Sequence, residues 1–253
     1  MPARRLPVAG ARLGAAKLSR VPDATGVELI DLTVPITSGM PVYPGDPEVA
    51  VSAALTVADS GVNVRRVHLG SQTGTHVDAP YHVDDALPRL DEIPLARFAG
   101  PAVLLDARRY GPGAEIGPEA MPAALPDGAV VVIVTGWSAH WGTDQYLRHP
   151  YLGADAARAL VEAGARTVAV DAASVDRTTG PDEEFTLPAH QILCRAGAVI
   201  AENLTGARRL LAARDAGHAI EMFLFPLALA GSDGAPIRAV ARTTRQGARA
   251  PRP

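Results

Sequence analysis

The residues of this chain that are best suited to chemistry lie in the stretch SQTGTHVDAPYHV, residues 71–83. If this segment is extended, alternate residues point the same way, so His76, Asp78, Pro80 and His82 are predicted to share one side. Imidazole nitrogens and carboxylate oxygens are ligands that zinc, manganese and iron accept, and a His-x-Asp pair can contact one ion from a short arc of backbone. The stretch therefore predicts a divalent metal site with His76 and Asp78 as ligands.

His82 has a different predicted role. It lies further along the chain, and an unligated histidine beside a metal is a candidate proton carrier because its pKa is near neutrality. An isolated His or Asp is more often a hydrogen-bonded loop residue than a ligand. However, three of the seven histidines lie between residues 68 and 82, and this clustering favours the metal interpretation.

Two ligands seldom hold an ion firmly, so the second half of the chain is expected to complete the site. Glu202 is one candidate, because it ends the apolar stretch AVIAEN, where a carboxylate needs a cation or a hydrogen-bond donor. His190 is the other, within a predicted helix, where an ordinary helix-surface imidazole is the alternative. The residues alone favour Glu202 over His190.

An aromatic region follows in residues 136–153, which hold both tryptophans and two of the five tyrosines. Trp137, Trp141 and Tyr151 are predicted to form an apolar wall for a flat aromatic substrate. Core packing or subunit contacts are the alternative explanation for the same three residues. No clear hydrophobic period runs through the region, which predicts a loop.

Short β-branched runs separated by Gly and Pro predict strands at 27–33, 62–69, 102–107, 129–135, 167–172, 198–203 and 219–229. Helices are predicted only at 154–164 and 187–197, each ending at a glycine. This pattern indicates an α/β or α+β fold with a mixed β-sheet core and few helices. A flexible N-terminal arm is predicted for 1–26, a single domain for 27–244 and a C-terminal tail for 245–253.

Composition narrows the class of partner. The 253-residue chain has a net charge of -3, 47% hydrophobic residues and 20% charged residues. It thus lacks the basic character of a nucleic-acid-binding protein, and a small-molecule substrate is expected. Its one cysteine, Cys194, favours a cytoplasmic location. No apolar run approaches the roughly 18 residues of a membrane span, and no secretory signal is recognised.

The chain resembles the cyclase family of metal hydrolases, which includes kynurenine formamidase and isatin hydrolase. The family signature is H-x-G-T-H-x-D-x-P-x-H, and residues 72–82 read QTGTHVDAPYH. The resemblance extends through residues 30–47, 135–152, 169–176 and 190–204, and it covers most of 28–230. It implies the family's swivelling β/β/α domain, assembled as a homodimer or homotetramer.

The resemblance also implies roles for individual residues. His76, Asp78, His190 and Glu202 become metal ligands, and His82 becomes the catalytic acid/base. One position departs from the signature, because Gln72 stands where the two-metal formamidases have a ligating histidine. An amide oxygen is a weaker donor than imidazole. We therefore expect one zinc or manganese ion per chain rather than two, with Gln72 as a weak ligand, a hydrogen-bond donor behind the ligands, or a substrate contact.

Three functions follow from this interpretation. The first is a metal-dependent hydrolase, related to arylformamidase and isatin hydrolase, that opens an amide, formamide or lactam bond of a small aromatic substrate. The second is a cyclase that uses the same site to close a polyketide-type ring by intramolecular aldol chemistry. The third is a family member that binds a ligand without turning it over.

Overall fold

The protein is described here by a computed structural model that covers residues 26–180 and 182–245. The predicted N-terminal arm lies outside the described residues except for Gly26, and the predicted C-terminal tail except for Arg245. Among the helices of the described ranges, none combines the length and apolar character needed to cross a bilayer.

The described residues form thirteen strands. In chain order they are β1 (Val27–Asp31), β2 (Ala50–Leu55), β3 (Val64–His68), β4 (His76–Asp78), β5 (Ala99–Asp106), β6 (Glu115–Ile116), β7 (Val130–Val134), β8 (Tyr151–Leu152), β9 (Thr167–Val170), β10 (Val199–Glu202), β11 (His218–Phe223), β12 (Gly234–Pro236) and β13 (Val240–Arg245). The four helices are α1 (Val57–Ser60), α2 (Ala154–Glu162), α3 (Pro188–Arg195) and α4 (Arg208–Asp215).

Nine strands form one mixed sheet in the order β1-β13-β11-β5-β7-β9-β10-β4-β12. The central strands β5, β7, β9 and β10 are parallel, and the strands on both sides of them pair antiparallel. Smaller sheets join β2 with β3 and β6 with β8. The predicted mixed sheet with few helices is confirmed.

The central strands form because their residues suit burial on both faces of a sheet. β7 reads VVVIV and all five of its residues are buried. Parallel strands covered on both faces take such continuous β-branched runs. One face packs against α2 and α3 through Leu160 and Leu193, and the other packs against α4 through Leu210. Two hydrophobic layers therefore hold the central sheet rigid.

Several sequence-based boundaries were wrong. The strand predicted for 219–229 ends at Phe223, since Pro226 has no N–H group for a ladder. Two 3₁₀ turns, Trp137–His140 and Asp144–Arg148, and β8 interrupt the loop predicted for 136–153. Helix α4 was not predicted because its sequence, RRLLAARD, buries only two leucines in a polar segment.

Candidate metal centre

The pairing of β4 with β10 brings the two halves of the chain together. These strands are antiparallel, and Glu202 lies directly opposite His76 in the register. Directly opposed residues in such a pair have neighbouring side chains. Gly74 enables the turn into β4 with a φ of +62°, a conformation that a residue with a Cβ rarely adopts. The strand register thus explains why a carboxylate 126 positions away meets the His-x-Asp pair.

Helix α3 carries His190 into the same region. Pro188 opens the helix, and the buried carboxylate of Asp176 accepts hydrogen bonds from the backbone N–H groups of Ala189 and His190. Asp176 Oδ2 also lies 2.7 Å from His190 Nδ1. This contact places the imidazole proton on Nδ1 and leaves Nε2 free to bind a cation. The helix-surface alternative is wrong, because His190 is 2% exposed.

The four predicted ligands converge. His76 Nε2 lies 3.4 Å from Asp78 Oδ1 and 3.7 Å from Glu202 Oε2. His190 Nε2 lies 3.6 Å from Asp78 Oδ2 and 3.4 Å from Glu202 Oε1. Ligand atoms at about 2.1 Å from one tetrahedral ion are separated by about 3.4 Å. The spacing of these nitrogens and oxygens therefore fits the coordination of a divalent metal.

The hydrogen bonding of Asp78 provides a separate test of that fit. Asp78 is 1% exposed, and neither of its carboxylate oxygens has a hydrogen-bond partner among the described residues. A buried charge without a partner is costly unless a cation neutralises it. His76, Asp78 and Glu202 each offer a ligand atom, and these atoms lie within 4.8 Å of one another. The donor set and the unpartnered oxygens both fit a divalent cation.

Burial and charge act in opposite directions on these groups. Burial raises the pKa of Glu202, and the opposing charge of His190 does not outweigh it. Burial also opposes ionisation of Asp78, but the neighbouring His76 and His190 outweigh it and lower the pKa of Asp78. For His190, burial disfavours the charged form, yet Glu202 and Asp176 raise its pKa well above the ordinary value. The cluster is thus an anionic pocket that attracts positive charge.

A hydrogen-bond network behind the cluster fixes the orientation of His76. Its Nδ1 lies 2.8 Å from the Gly74 carbonyl oxygen, so Nε2 points toward the carboxylates. Asn203 donates to the same carbonyl oxygen and accepts a 2.7 Å hydrogen bond from Tyr146. Asn203 has a φ of 57°, which is uncommon for a non-glycine residue. Such a conformation persists where surrounding contacts enforce it, often at functional sites.

His82 takes a position that the sequence interpretation did not anticipate. The chain is not extended beyond Asp78, because Pro80–His82 form a 3₁₀ turn with Pro80 at its first position. The prediction that four residues share one side of a strand is therefore wrong for Pro80 and His82. The His82 ring centre nevertheless lies 5.8 Å from that of His190. His82 is thus adjacent to the cluster without belonging to it.

His82 is paired with Asp233, a residue that sequence analysis missed. His82 Nδ1 lies 3.1 Å from Asp233 Oδ2, and the Gln72 side-chain amide donates to the same oxygen at 2.7 Å. The two N–H groups share one acceptor, which explains why Gln72 Nε2 and His82 Nδ1 approach to 3.2 Å. Gln72 therefore acts as a hydrogen-bond donor that holds Asp233 against His82.

The Asp233 contact sets the charge state of His82. Burial disfavours protonation of His82, but Asp233 and Asp78 outweigh it and raise the pKa of the imidazole. In return, His82 is the main cause that lowers the pKa of Asp233. Both side chains keep partial access to solvent, with 26% and 32% of their side-chain area exposed. His82 is thus able to exchange protons with the cavity and with solvent.

A cavity of about 300 Å³ opens over the cluster. Its lining includes His76, Asp78, His82, His190 and Glu202, together with the aromatic residues Tyr43, Trp141, Tyr146 and Phe185. The rings of Trp141 and Tyr146 meet edge to face at 5.0 Å, and those of Tyr43 and Phe185 at 6.5 Å. The cavity therefore offers aromatic side chains beside a charged floor.

Only one member of the predicted aromatic wall lines this cavity. Trp141 does, whereas Trp137 is 6% exposed and packs in the core with its indole N–H bonded to the Tyr146 carbonyl oxygen. Tyr151 lies on β8, with its hydroxyl 3.4 Å from Glu115. The prediction is wrong for Trp137 and Tyr151, because residue clustering in sequence does not indicate which rings face a cavity.

Comparisons with known proteins agree with this geometry. The family model named Cyclase, described as "Putative cyclase", matches residues 30–177. The chain is 33% identical over 213 residues to kynurenine formamidase of Maricaulis maris, an alignment that covers 84% of this chain and 96% of that protein. It is 34% identical over 217 residues to kynurenine formamidase of Salinibacter ruber, covering 85% and 97%.

Solved structures show the same fold. Isatin hydrolase A from Labrenzia aggregata, bound to benzyl benzoate, superposes with a TM-score of 0.74 at 24% identity and covers 87% of this chain and 95% of its own. A potential metal-dependent hydrolase with cyclase activity gives a TM-score of 0.67 at 27% identity, covering 87% and 100%. The chain is an enzyme of the hydrolase class that uses a divalent metal, and it belongs to the cyclase family of metal-dependent hydrolases.

Proposed function

We propose that this enzyme hydrolyses the formamide, amide or lactam bond of a small aromatic substrate. The observation that carries the proposal is the buried cluster of His76, Asp78, His190 and Glu202 on the floor of an aromatic-lined cavity, where neither Asp78 oxygen has a hydrogen-bond partner among the described residues. The relatives named kynurenine formamidase and isatin hydrolase support the same class of bond.

His76, Asp78, His190 and Glu202 would hold the metal. When bound, a divalent ion supplies a Lewis acid for the carbonyl group and lowers the pKa of water toward neutrality. His76 and His190 each present Nε2, because their Nδ1 atoms donate hydrogen bonds to the Gly74 carbonyl oxygen and to Asp176, respectively. Partners of this kind fix the imidazole tautomer and orientation.

His82 is proposed as the acid/base group. Its Nδ1 is held by Asp233, so Nε2 is the nitrogen free to take a proton from water and deliver it to the leaving nitrogen. Gln72 donates to Asp233 and keeps that carboxylate in place. Trp141, Tyr146, Tyr43 and Phe185 are proposed to pack against the aromatic ring and to exclude water from it.

We propose one zinc or manganese ion per chain. Gln72 Nε2 donates to Asp233, and its Oε1, which is buried without a hydrogen-bond partner among the described residues, is a neutral amide oxygen that would bind a second ion more weakly than an imidazole. Elemental analysis of protein purified without chelator is expected to give one equivalent. Two equivalents would contradict the one-ion proposal.

Removing the metal is expected to lower the melting temperature. An ion that binds only the folded state stabilises it by about 2.7 kcal/mol at 100 times its Kd. For a domain of this size, that change corresponds to a shift of roughly 5–10 °C. Thermal unfolding with and without chelator measures it, and re-addition of zinc or manganese is expected to restore the higher value. An unchanged melting temperature in chelator would argue against a bound ion.

A substrate screen tests the reaction itself. N-formylkynurenine represents aromatic formamides, isatin represents lactams, and a linear polyketone represents substrates for ring closure by aldol chemistry. We expect hydrolysis of at least one of the first two by the metal-loaded protein and none after chelation. Turnover of the polyketone alone would favour the cyclase alternative. The family's description and the solved structure of a potential hydrolase with cyclase activity support testing it.

Asp233→Asn is expected to shift the pH profile. Without the carboxylate, burial is opposed by fewer charges, so the pKa of His82 falls. If neutral His82 takes the proton from water, the acidic limb of kcat/KM moves to lower pH, while kcat drops about tenfold because the imidazole is less well oriented. Rate measurements from about pH 5 to 9 test this. An acidic limb that stays in place would show that Asp233 does not act through His82.

The oligomeric state, the location and the class of partner are proposals as well. We propose a homodimer or homotetramer that acts on a small molecule in the cytoplasm, without nucleic-acid or membrane partners. The β2–β3 ribbon supports self-association, because its apolar residues Leu55, Val64 and Val67 are exposed in the described chain. Light scattering after size exclusion gives the subunit number, and a monomer at micromolar concentration would contradict the proposal.

A further inference from the structure

Asp46 is a carboxylate of the cavity that the proposed mechanism does not use. It lines the cavity together with the metal cluster and is half-buried. Its backbone N–H closes a turn by donating to the Tyr43 carbonyl oxygen. Within the part of the chain that the structure describes, no hydrogen bond or ion pair reaches its side chain. Burial is the main cause that raises the pKa of Asp46; the charges of His76 and His82 oppose it, and those of Asp233 and Asp78 add to it.

Several other aspartates of this protein have evident structural roles. Asp31 and Asp106 form ion pairs with arginines, and Asp84 accepts the backbone N–H of Ala86 in a turn. Among the described residues, the Asp46 side chain forms neither an ion pair with an arginine nor a hydrogen bond to a backbone N–H group. A half-buried carboxylate that lines the cavity without a partner among the described residues is available to a group that enters the cavity.

The charges that line the cavity also indicate that Asp46 is available to a group that enters it. Among the described residues no lysine or arginine lines it, whereas four carboxylates do: Asp46, Asp78, Asp144 and Glu202. A divalent ion would offset Asp78 and Glu202. Asp46 and the more exposed Asp144 form no ion pair with another described residue. A negative substrate group would therefore be repelled, and a positive one would find a partner.

We infer that the cavity selects aromatic substrates with a cationic or neutral substituent over those with an anionic one, and that Asp46 is the specificity-determining residue. The inference rests on the proposed hydrolysis of aromatic formamides. In a cavity of reduced dielectric, one unit charge a few ångströms away changes relative binding by on the order of tenfold or more. An ammonium group beside Asp46 is therefore bound more tightly, and a sulfonate or carboxylate group there is bound more weakly.

Three formanilides that carry a tetrahedral substituent of different charge test the inference. Each carries one meta substituent: (trimethylammonio)methyl, its neutral isostere neopentyl, or sulfomethyl. The quaternary ammonium can neither bind a metal nor donate a hydrogen bond, so it reports charge alone. We expect kcat/KM to fall in the order cation, neutral, anion. Comparing one substrate series between variants cancels the intrinsic differences in reactivity.

The variants are Asp46→Asn and, as a matched control, Asp127→Asn, which removes the same charge from an exposed turn before β7. Asp46→Asn is expected to reduce the cation-to-anion ratio of kcat/KM at least about tenfold, and Asp127→Asn is expected to leave it unchanged. Asp144→Asn, at an exposed position, is expected to give a smaller reduction. Melting temperatures check that each variant is folded. We expect Asp46→Asn to fold normally, because the Asp46 side chain has no hydrogen bond to another described residue.

The outcomes separate this inference from the proposed function. Turnover with equal use of all three substrates, or a ratio unaffected by Asp46→Asn, overturns the inference and leaves the hydrolase proposal intact. If no formanilide is consumed, calorimetric binding of benzyltrimethylammonium and benzylsulfonate to the metal-loaded protein decides the charge preference independently. Tighter binding of the cation, lost in Asp46→Asn, supports the inference, and equal binding overturns it.

Discussion

Asp78→Asn is expected to abolish metal binding and to lower kcat/KM for aromatic formamides at least about 1,000-fold. Asp78 is the buried carboxylate whose two oxygens lie near the imidazoles of His76 and His190 without a hydrogen-bond partner among the described residues. An amide supplies one neutral oxygen in place of two charged ones. Losing a Lewis acid costs several kcal/mol of transition-state stabilisation, and each 1.36 kcal/mol is about tenfold in rate.

Asp176→Asn provides a graded comparison for this prediction. Asp176 orients His190 through Nδ1 and does not line the cavity. Partners of this kind typically contribute about 10- to 100-fold in metal affinity. Excess metal is therefore expected to restore Asp176→Asn and not Asp78→Asn. Elemental analysis and kcat/KM at several metal concentrations provide the measurement. An Asp78→Asn variant that retained its metal and its rate would remove the proposed site.

His82→Ala is expected to lower kcat by about 100- to 10,000-fold while metal content stays unchanged, which is the usual contribution of general acid/base catalysis. His82 lies beside the cluster, contacts Asp233 and retains access to solvent, as a proton carrier requires. His82→Gln keeps a polar side chain at this position but cannot carry a proton at neutral pH. We expect it to be as slow as His82→Ala.

The control for the His82 variants is His68→Ala. His68 ends β3 in the exposed ribbon and does not line the cavity. Its replacement is expected to leave both kcat and metal content unaffected. Pre-steady-state rates separate the chemical step from product release. A His82→Ala enzyme with its metal and its full rate would show that another group, or water alone, moves the proton.

The outcome at each predicted position shows what the sequence could indicate. Spacing alone predicted that His76 and Asp78 face the same way, and the structure places them at the two ends of β4, where alternate side chains share one side. The buried strands β7, β9 and β10 were found from their β-branched runs. Helices α2 and α3 were found within two residues of their ends, because each has an apolar face and a glycine just beyond it.

Residues that depend on distant contacts were not found. Asp233 stands in the sequence Ser-Asp-Gly, which is typical of a turn. Its contact with His82 spans 151 positions and exists because β12 pairs with β4. Gly234 permits this approach, since a Cβ there would lie 2.5 Å from the Val77 carbonyl oxygen. Asp46 and Phe185 likewise join the cavity from segments without hydrophobic periodicity.

The sequence by itself therefore determined which residue types can bind a metal, which runs form the central sheet, and, through a motif, which family the chain resembles. These properties depend on local spacing and on composition. Only the tertiary structure decided that Gln72 contacts Asp233, that Trp137 packs in the core while Trp141 lines the cavity, and that Asp46 lines the same cavity. Those outcomes depend on strand register and loop geometry, which bring together side chains more than a hundred positions apart and leave no periodic signal in the sequence.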